Sequence, residues 1–270
     1  MAGRQAWRDR ARASVLVDPG RGARAGDRDD RQTELVPAAQ QPRERDLGRG
    51  RTNVLADGPD SPALVVDPGA GSVRGALALL RSNRLTLGAV LLTHGHVDHV
   101  FSVTPVCGGE LAAYIHTDDR YRLVDPLGSS SLGPALSGML EQQFGKKATW
   151  REPERVVEVT DSETVSVAGI DLEVLHAPGH TEGSVMFAMP RVPDGVPADA
   201  EVDRTLITGD VLFAGSIGRT DLPGGSHEAM QDSLRRVVHP RPDSSLVLPG
   251  HGPATTLGRE KATNPYLQGL

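Results

Sequence analysis

The sequence predicts a layered α/β domain, and two observations carry that expectation. From residue 53 onward, short apolar runs closed by turn residues alternate with amphipathic stretches, as strands and helices packed in layers require. Several of those runs also end in a histidine or aspartate flanked by glycine, which places a site along one edge of a sheet.

The elements follow in order. Residues 63–67, Ala-Leu-Val-Val-Asp, form a short apolar run closed by Pro68 and Gly69, which suits a buried strand and its turn. Ser72 then caps a helix with Val73, Ala76, Leu77 and Leu80 on one face. Residues 89–93 read as the next strand, 111–115 as a third, and 134–144 as a helix with Leu136, Met139, Leu140 and Phe144 inward. Residues 164–167 and 170–175 flank Gly169 as a β-hairpin. Strands at 185–189 and 205–208 are separated by the polar loop 191–203. A helix at 226–238, capped by Ser226, precedes a last strand at 245–248. There is no internal repeat.

Composition divides the chain at residue 52. Residues 1–52 hold twelve of the 26 arginines, no lysine and eight acidic residues, a net +4. Residues 53–270 hold 17 basic and 27 acidic residues, a net −10. The head shows neither strand nor helix periodicity and has too little apolar surface to offset its ordering entropy, so it is expected to be disordered. The body, 53–270, is expected to be one catalytic domain. No apolar run approaches the roughly 18 residues of a membrane span, and the N-terminus lacks the apolar core of a secretory signal. Cys107 is the single cysteine, which excludes an internal disulfide and fits a reducing, cytoplasmic location. An acidic body without aromatic-interleaved basic patches argues against a nucleic-acid binder.

The informative stretch is Thr93-His94-Gly95-His96-Val97-Asp98-His99, directly after an apolar strand. Where the backbone turns beyond a strand, these side chains can converge, and imidazole and carboxylate are ligands that Zn²⁺ and related metals accept. The cluster does not stand alone. His180, Asp210 and His251 each follow an apolar strand beside glycine.

In order and spacing this set resembles the metallo-β-lactamase fold superfamily, whose H-x-H-x-D-H motif is followed by His, Asp and His at later strand ends. Asp67 matches the family's aspartate after an early strand. The resemblance implies a four-layer αββα sandwich with the metal site at the edge of its two mixed sheets. It also implies ligand roles: His94, His96 and His180 for a first metal, Asp98, His99 and His251 for a second, and Asp210 between them. Two Zn²⁺ per chain are expected, with iron or manganese as alternatives. Two dications about 3.5–4 Å apart would share a water that ionises near neutral pH and attacks a polarised carbonyl. Asp98 is read as the catalytic residue, hydrogen-bonding that hydroxide.

Residues 213–227, 248–258 and 264–268 further resemble the short bacterial glyoxalase II-like (hydroxyacylglutathione hydrolase-like) enzymes, and the likeness spans 53–268. It implies hydrolysis of a small S-acyl thiol such as S-lactoylglutathione, with no nucleic-acid or membrane partner. About 20 residues follow His251, too few for the helical domain with which longer enzymes grip glutathione. The thiol carrier therefore stays open among glutathione, another small thiol and coenzyme A, as does the oligomeric state. Two alternatives stand beside this reading: a mononuclear-iron persulfide dioxygenase of the same fold, and a non-enzymatic metal-binding protein. The lack of an export signal argues against a β-lactamase, and the length argues against a nuclease.

The remaining polar residues divide by expectation. His116 and His239 are read as helix-end or surface residues, and His176 as packing near the ligands. His227 is read either as facing the site or as a first-turn helix residue, Arg219 as a substrate contact or the partner of Asp221, and Cys107 as a buried apolar residue. One departure from the family pattern remains. Relatives open with a strand leading into a Thr-Asn-aromatic-apolar run, whereas residues 51–57 are shortened after Asn53 and no preceding strand is recognisable. Residues 1–52 are accordingly read as a disordered or aberrant extension, at least partly the product of a mistranslated or displaced reading frame in GC-rich coding sequence.

Overall fold

The computed structural model describes residues 14–17, 50–129, 138, 141–142, 149–194, 196–197 and 200–270. Its strands form two six-stranded sheets. The first runs β1 (Ser14–Val17), β2 (Asn53–Ala56), β3 (Pro62–Val66), β4 (Thr86–Leu91), β5 (Ala112–His116) and β6 (Arg155–Val159). Its first two pairings are antiparallel and the rest parallel. The second contains β7 (Thr164–Val167), β8 (Ile170–His176), β9 (Val185–Met189), β10 (Arg204–Gly209), β13 (Ser245–Pro249) and β14 (Thr255–Thr256). Its spatial order is β14-β13-β10-β9-β8-β7, antiparallel except between β10 and β13. The hairpin β11 (Leu212–Phe213) and β12 (Ser216–Ile217) stands beside the second sheet.

Side-chain alternation along the strands builds the layers. In the first sheet, Leu55, Leu64, Val66, Ala89 and Leu91 face the second sheet, where they pack with Leu172, Val174, Val185, Phe187, Ile207 and Leu248. The alternate residues Val54, Ala63, Val65, Val90 and Leu92 face outward onto helices α1 (Val73–Ser82) and α3 (Val103–Cys107). In the second sheet, Leu175, Met186, Leu206 and Val247 face α4 (His227–Ser233), its π-helical continuation Leu234–Val238 and α5 (Leu257–Thr263). The result is the expected four-layer αββα sandwich. Because the central strands are covered on both faces over most of their length, they read in sequence as short apolar runs.

Most expected strands form within a residue or two of their predicted bounds, and the 164–175 hairpin turns at Gly169 with φ of +75°. Ser226 caps α4 by accepting the Ala229 N–H at 3.2 Å. Ser72 precedes α1 as expected, but its side chain makes no capping hydrogen bond; its hydroxyl donates to the Gly69 carbonyl at 2.9 Å. The helix expected over 134–144 falls almost wholly outside the described residues; only 138, 141 and 142 are described, all helical.

Two observations fall within the segment expected to be disordered. Ser14–Val17 pairs antiparallel with Asn53–Ala56, supplying the opening strand that the sequence left unrecognised. Residues 50–52 are also packed: the Arg51 N–H donates to the Gly250 carbonyl at 2.6 Å, and the buried Thr52 hydroxyl donates to the Asp67 carbonyl at 2.8 Å. The rest of 1–49 lies outside the described residues. Among the described residues, no helix is long and apolar enough to cross a membrane.

Candidate metal centre

Four strand ends deliver the site. β4 leads to His94, Gly95 and His96, and the short helix α2 (Val97–Val100) carries Asp98 and His99. The loop after β8 brings His180, the end of β10 Asp210, and the end of β13 His251. Close approaches need glycine in two of these turns. A Cβ on Gly95 would lie 2.5 Å from the Arg122 Cβ, and one on Gly250 would lie 2.2 Å from Asp210 Oδ1.

Hydrogen bonds behind the cluster fix which ring nitrogen three of its histidines present. The Thr93 hydroxyl donates to Asp67 Oδ2 at 2.7 Å, so it accepts from His94 Nδ1 at 3.1 Å. His99 Nδ1 donates to Asp67 Oδ2 at 3.0 Å, and His180 Nδ1 to the Arg219 carbonyl at 2.7 Å. Each bond occupies Nδ1 and leaves Nε2 facing inward, the arrangement that orients a ligating imidazole.

All seven residues singled out in the sequence are brought together. One donor atom each from His94, His96 and His180 lies within 4.8 Å of the others, as do donors from Asp98, His99 and His251. His251 Nε2 is 3.1 Å from Asp98 Oδ2 and 3.3 Å from His99 Nε2. Asp210 stands between the two groups, with Oδ2 3.5 Å from both His180 Nε2 and His251 Nε2. His94 Nε2 and Asp210 Oδ1 are buried without a hydrogen-bond partner. Leaving buried polar atoms unsatisfied costs about 1–3 kcal/mol each, and a cation at this point relieves it at both. The donor set, imidazole nitrogen and carboxylate oxygen, suits a zinc-type divalent ion.

Electrostatics agree with that fit. Burial, reinforced by His99, His180 and other neighbouring histidines, pushes His94 well below its ordinary pKa, and burial with His180 lowers His96 to about 3. Both are therefore neutral ligands at neutral pH. Burial alone would raise Asp98 and Asp210, but His99 and the neighbouring histidines outweigh it and hold both carboxylates ionised. Burial would likewise lower His99, yet Asp210 and Asp98 pull it well above its usual value. The pocket thus concentrates negative charge that attracts a cation.

The other candidates resolve individually. His116 is buried rather than on the surface; it caps the 3₁₀ turn Thr117–Leu123, its Nδ1 accepting the Asp118 N–H at 3.2 Å. His176 stacks on it with centroids 3.9 Å apart and planes 14° apart. Asp118 lies near both rings, but lone pairs in nearly parallel planes do not converge on one ion. His227 is the exposed first residue of α4, and His239 follows the π-helical turn. Arg219 is paired with Asp221 at 2.7 Å. Cys107 is buried, and burial lifts its thiol pKa to about 11, so it is a packing residue.

The sequence reading missed a buried support. Asp119 and Arg122, 0% and 1% exposed, form an ion pair at 3.1 Å beneath the His94–His96 turn. In sequence, Asp118-Asp119-Arg120-Tyr121-Arg122 looks like a solvated helical turn, and only the burial of two members three positions apart distinguishes it.

Comparison with known proteins places these features. Residues 47–251 match the family model described as the metallo-beta-lactamase superfamily. The hydroxyacylglutathione hydrolase GloC of Haemophilus influenzae is 33% identical over 209 residues, covering 76% of this chain and 87% of that protein. The BLEG-1 B3 metallo-beta-lactamase crystal structure superposes with a TM-score of 0.65 at 33% identity, covering 83% of this chain and 96% of its own. The di-iron-bound form of TTHA1623 does so with a TM-score of 0.59 at 31% identity, covering 86% and 100%.

Proposed function

This chain belongs to the metallo-β-lactamase superfamily, and from that premise we propose that it is a metal-dependent hydrolase of small S-acyl thiols. The observation that carries the reading is the placement of Asp210 Oδ2 at 3.5 Å from one histidine of each group, His180 and His251. It favours a two-cation centre over the mononuclear arrangement of a dioxygenase. Likeness to a hydroxyacylglutathione hydrolase over most of both chains supports the thioester as substrate.

His94, His96 and His180 would hold one cation and Asp98, His99 and His251 the other, with Asp210 between them. Bound there, two zinc-type ions supply a Lewis acid for the carbonyl and acidify the attacking water. The chain's own residues orient and exclude. Asp98 is the most accessible carboxylate of the group, its side chain 28% exposed against 10% for Asp210. Held ionised, its oxygen can accept a hydrogen bond from an incoming water and aim it at the carbonyl carbon. Asp67 and Thr93 keep the neighbouring rings in register. A thioester suits this set because its thiolate leaves without a strong general acid.

The test is a screen of metal-analysed protein against S-lactoylglutathione, an acyl-coenzyme A, glutathione persulfide with O₂, and a β-lactam. Thiol release from an acyl thiol is the expected result. Oxygen uptake with persulfide, or β-lactam opening, without thioester cleavage would overturn the reading.

A further inference from the structure

The side chain of Asp119 accepts four hydrogen bonds, and their sources lie on both sides of one ligand group. Its Oδ2 takes the Gly95 N–H at 2.7 Å and the Thr181 hydroxyl at 2.8 Å. Its Oδ1 takes the Gly183 N–H at 3.0 Å and Arg122 Nε at 3.1 Å. Gly95 sits between His94 and His96, and Thr181 follows His180 directly. One carboxylate therefore ties the turn carrying two ligands, which leaves the first sheet, to the loop carrying the third, which leaves the second sheet.

The tie has little freedom to shift. A Cβ on Gly183 would lie 2.5 Å from the Asp119 backbone nitrogen, and one on Gly95 would lie 2.5 Å from the Arg122 Cβ. Arg122 compensates the buried charge and continues the network, donating to Glu182 Oε2 at 2.6 Å and to the Pro223 carbonyl at 2.9 Å. Pro223 lies in the loop whose Arg219 carbonyl accepts from His180 Nδ1. The position and the rotation of His180 are thus both referred back to the Asp119–Arg122 pair. The four bonds of Asp119 reach none of the seven candidate ligands' side chains, and its partners differ from those of Asp67, which supports His99 and Thr93.

We propose that Asp119 is a positioning residue that sets the distance between the His94–His96 pair and His180, and so determines the affinity of the first of the two cations. The proposal rests on the reading of these histidines as metal ligands. An asparagine at 119 keeps the shape but turns one acceptor into a donor facing two donors. Outer-shell partners of metal ligands typically contribute about 10–100-fold in affinity.

The test compares wild type, Asp119→Asn, Thr181→Val and the exposed neighbour control Asp118→Asn. Equilibrium dialysis against Zn²⁺ gives the two affinities, visible spectra of Co²⁺-loaded protein report coordination geometry, and circular dichroism reports the fold. Asp119→Asn is expected to weaken one cation about 10–100-fold, leave the other unchanged and alter the Co²⁺ spectrum. Thr181→Val, which removes one of the four bonds, is expected to weaken the same cation by less, and Asp118→Asn to match wild type. Should Asp119→Asn fail to fold, Thr181→Val decides by whether it weakens one cation selectively. Wild-type affinities and spectrum in a folded Asp119→Asn protein, or an equal loss of both cations, would overturn the proposal while leaving the two-cation reading intact. A wild-type protein that binds no Zn²⁺ would instead refute the functional reading beneath it.

Discussion

His94, His99 and His180 point Nε2 into the site because Thr93, Asp67 and the Arg219 carbonyl occupy their other nitrogens. This explains how far single residues could be read from sequence. The seven candidate ligands stood out because they recur beside glycine after apolar runs, a local pattern. Their supports did not, because Asp119 and Arg122 lie 24 and 27 positions beyond Gly95 and resemble a surface turn. Nothing local marks them as buried. The residue with the sharpest expected effect is Asp98, whose carboxylate is both a donor in the second group and the nearest acceptor for an incoming water. Asp98→Asn is expected to lower kcat on a thioester by about 10²-fold or more with an unchanged circular dichroism spectrum, measured as thiol release at saturating substrate.

The elements were legible where burial made them uniform and obscure where it did not. β3, β9 and β13 are buried along most of their length and appear as nearly continuous apolar runs, as does the buried second half of β4, residues 89–91. α2 and α3 span four and five residues, too short for helical periodicity to show. β6, Arg-Val-Val-Glu-Val, lies at the sheet edge with most residues exposed or half-buried, so its charges masked it. β1 is four residues inside an arginine-rich stretch, and only its pairing with β2 identifies it.

Two substitutions test how these elements meet. A Cβ on Gly69, in the turn between β3 and α1, would lie 1.7 Å from the Asp98 carbonyl oxygen on α2. Gly69→Ala is therefore expected to cost about 1–3 kcal/mol in urea unfolding, as overpacking does, and to reduce cation affinity by displacing α2. Phe187 is fully buried between the two sheets. Phe187→Ala is expected to cost about 3–5 kcal/mol without changing the cation stoichiometry of the folded protein.

At the scale of the whole molecule, the site is where the two sheets depend on each other. The first supplies His94, His96, Asp98 and His99, and the second supplies His180, Asp210 and His251. Cations held between them favour the folded state by mass action. At free Zn²⁺ a hundredfold above Kd the gain is about 2.7 kcal/mol, a rise in Tm of about 5–10 °C for a domain of this size. Thermal unfolding with and without a chelator measures it. Fold class and site edge were visible in the sequence because both follow from strand ends, whereas the coupling between sheets runs through distant residues that only the folded chain brings together.

The most direct measurement is a titration of metal-free protein with Zn²⁺, following thiol release from S-lactoylglutathione against cations bound per chain. Activity that rises with loading and levels off at two cations per chain is the expected result. Full activity at one cation, or no thiol release at any loading, would contradict a two-cation thioester hydrolase.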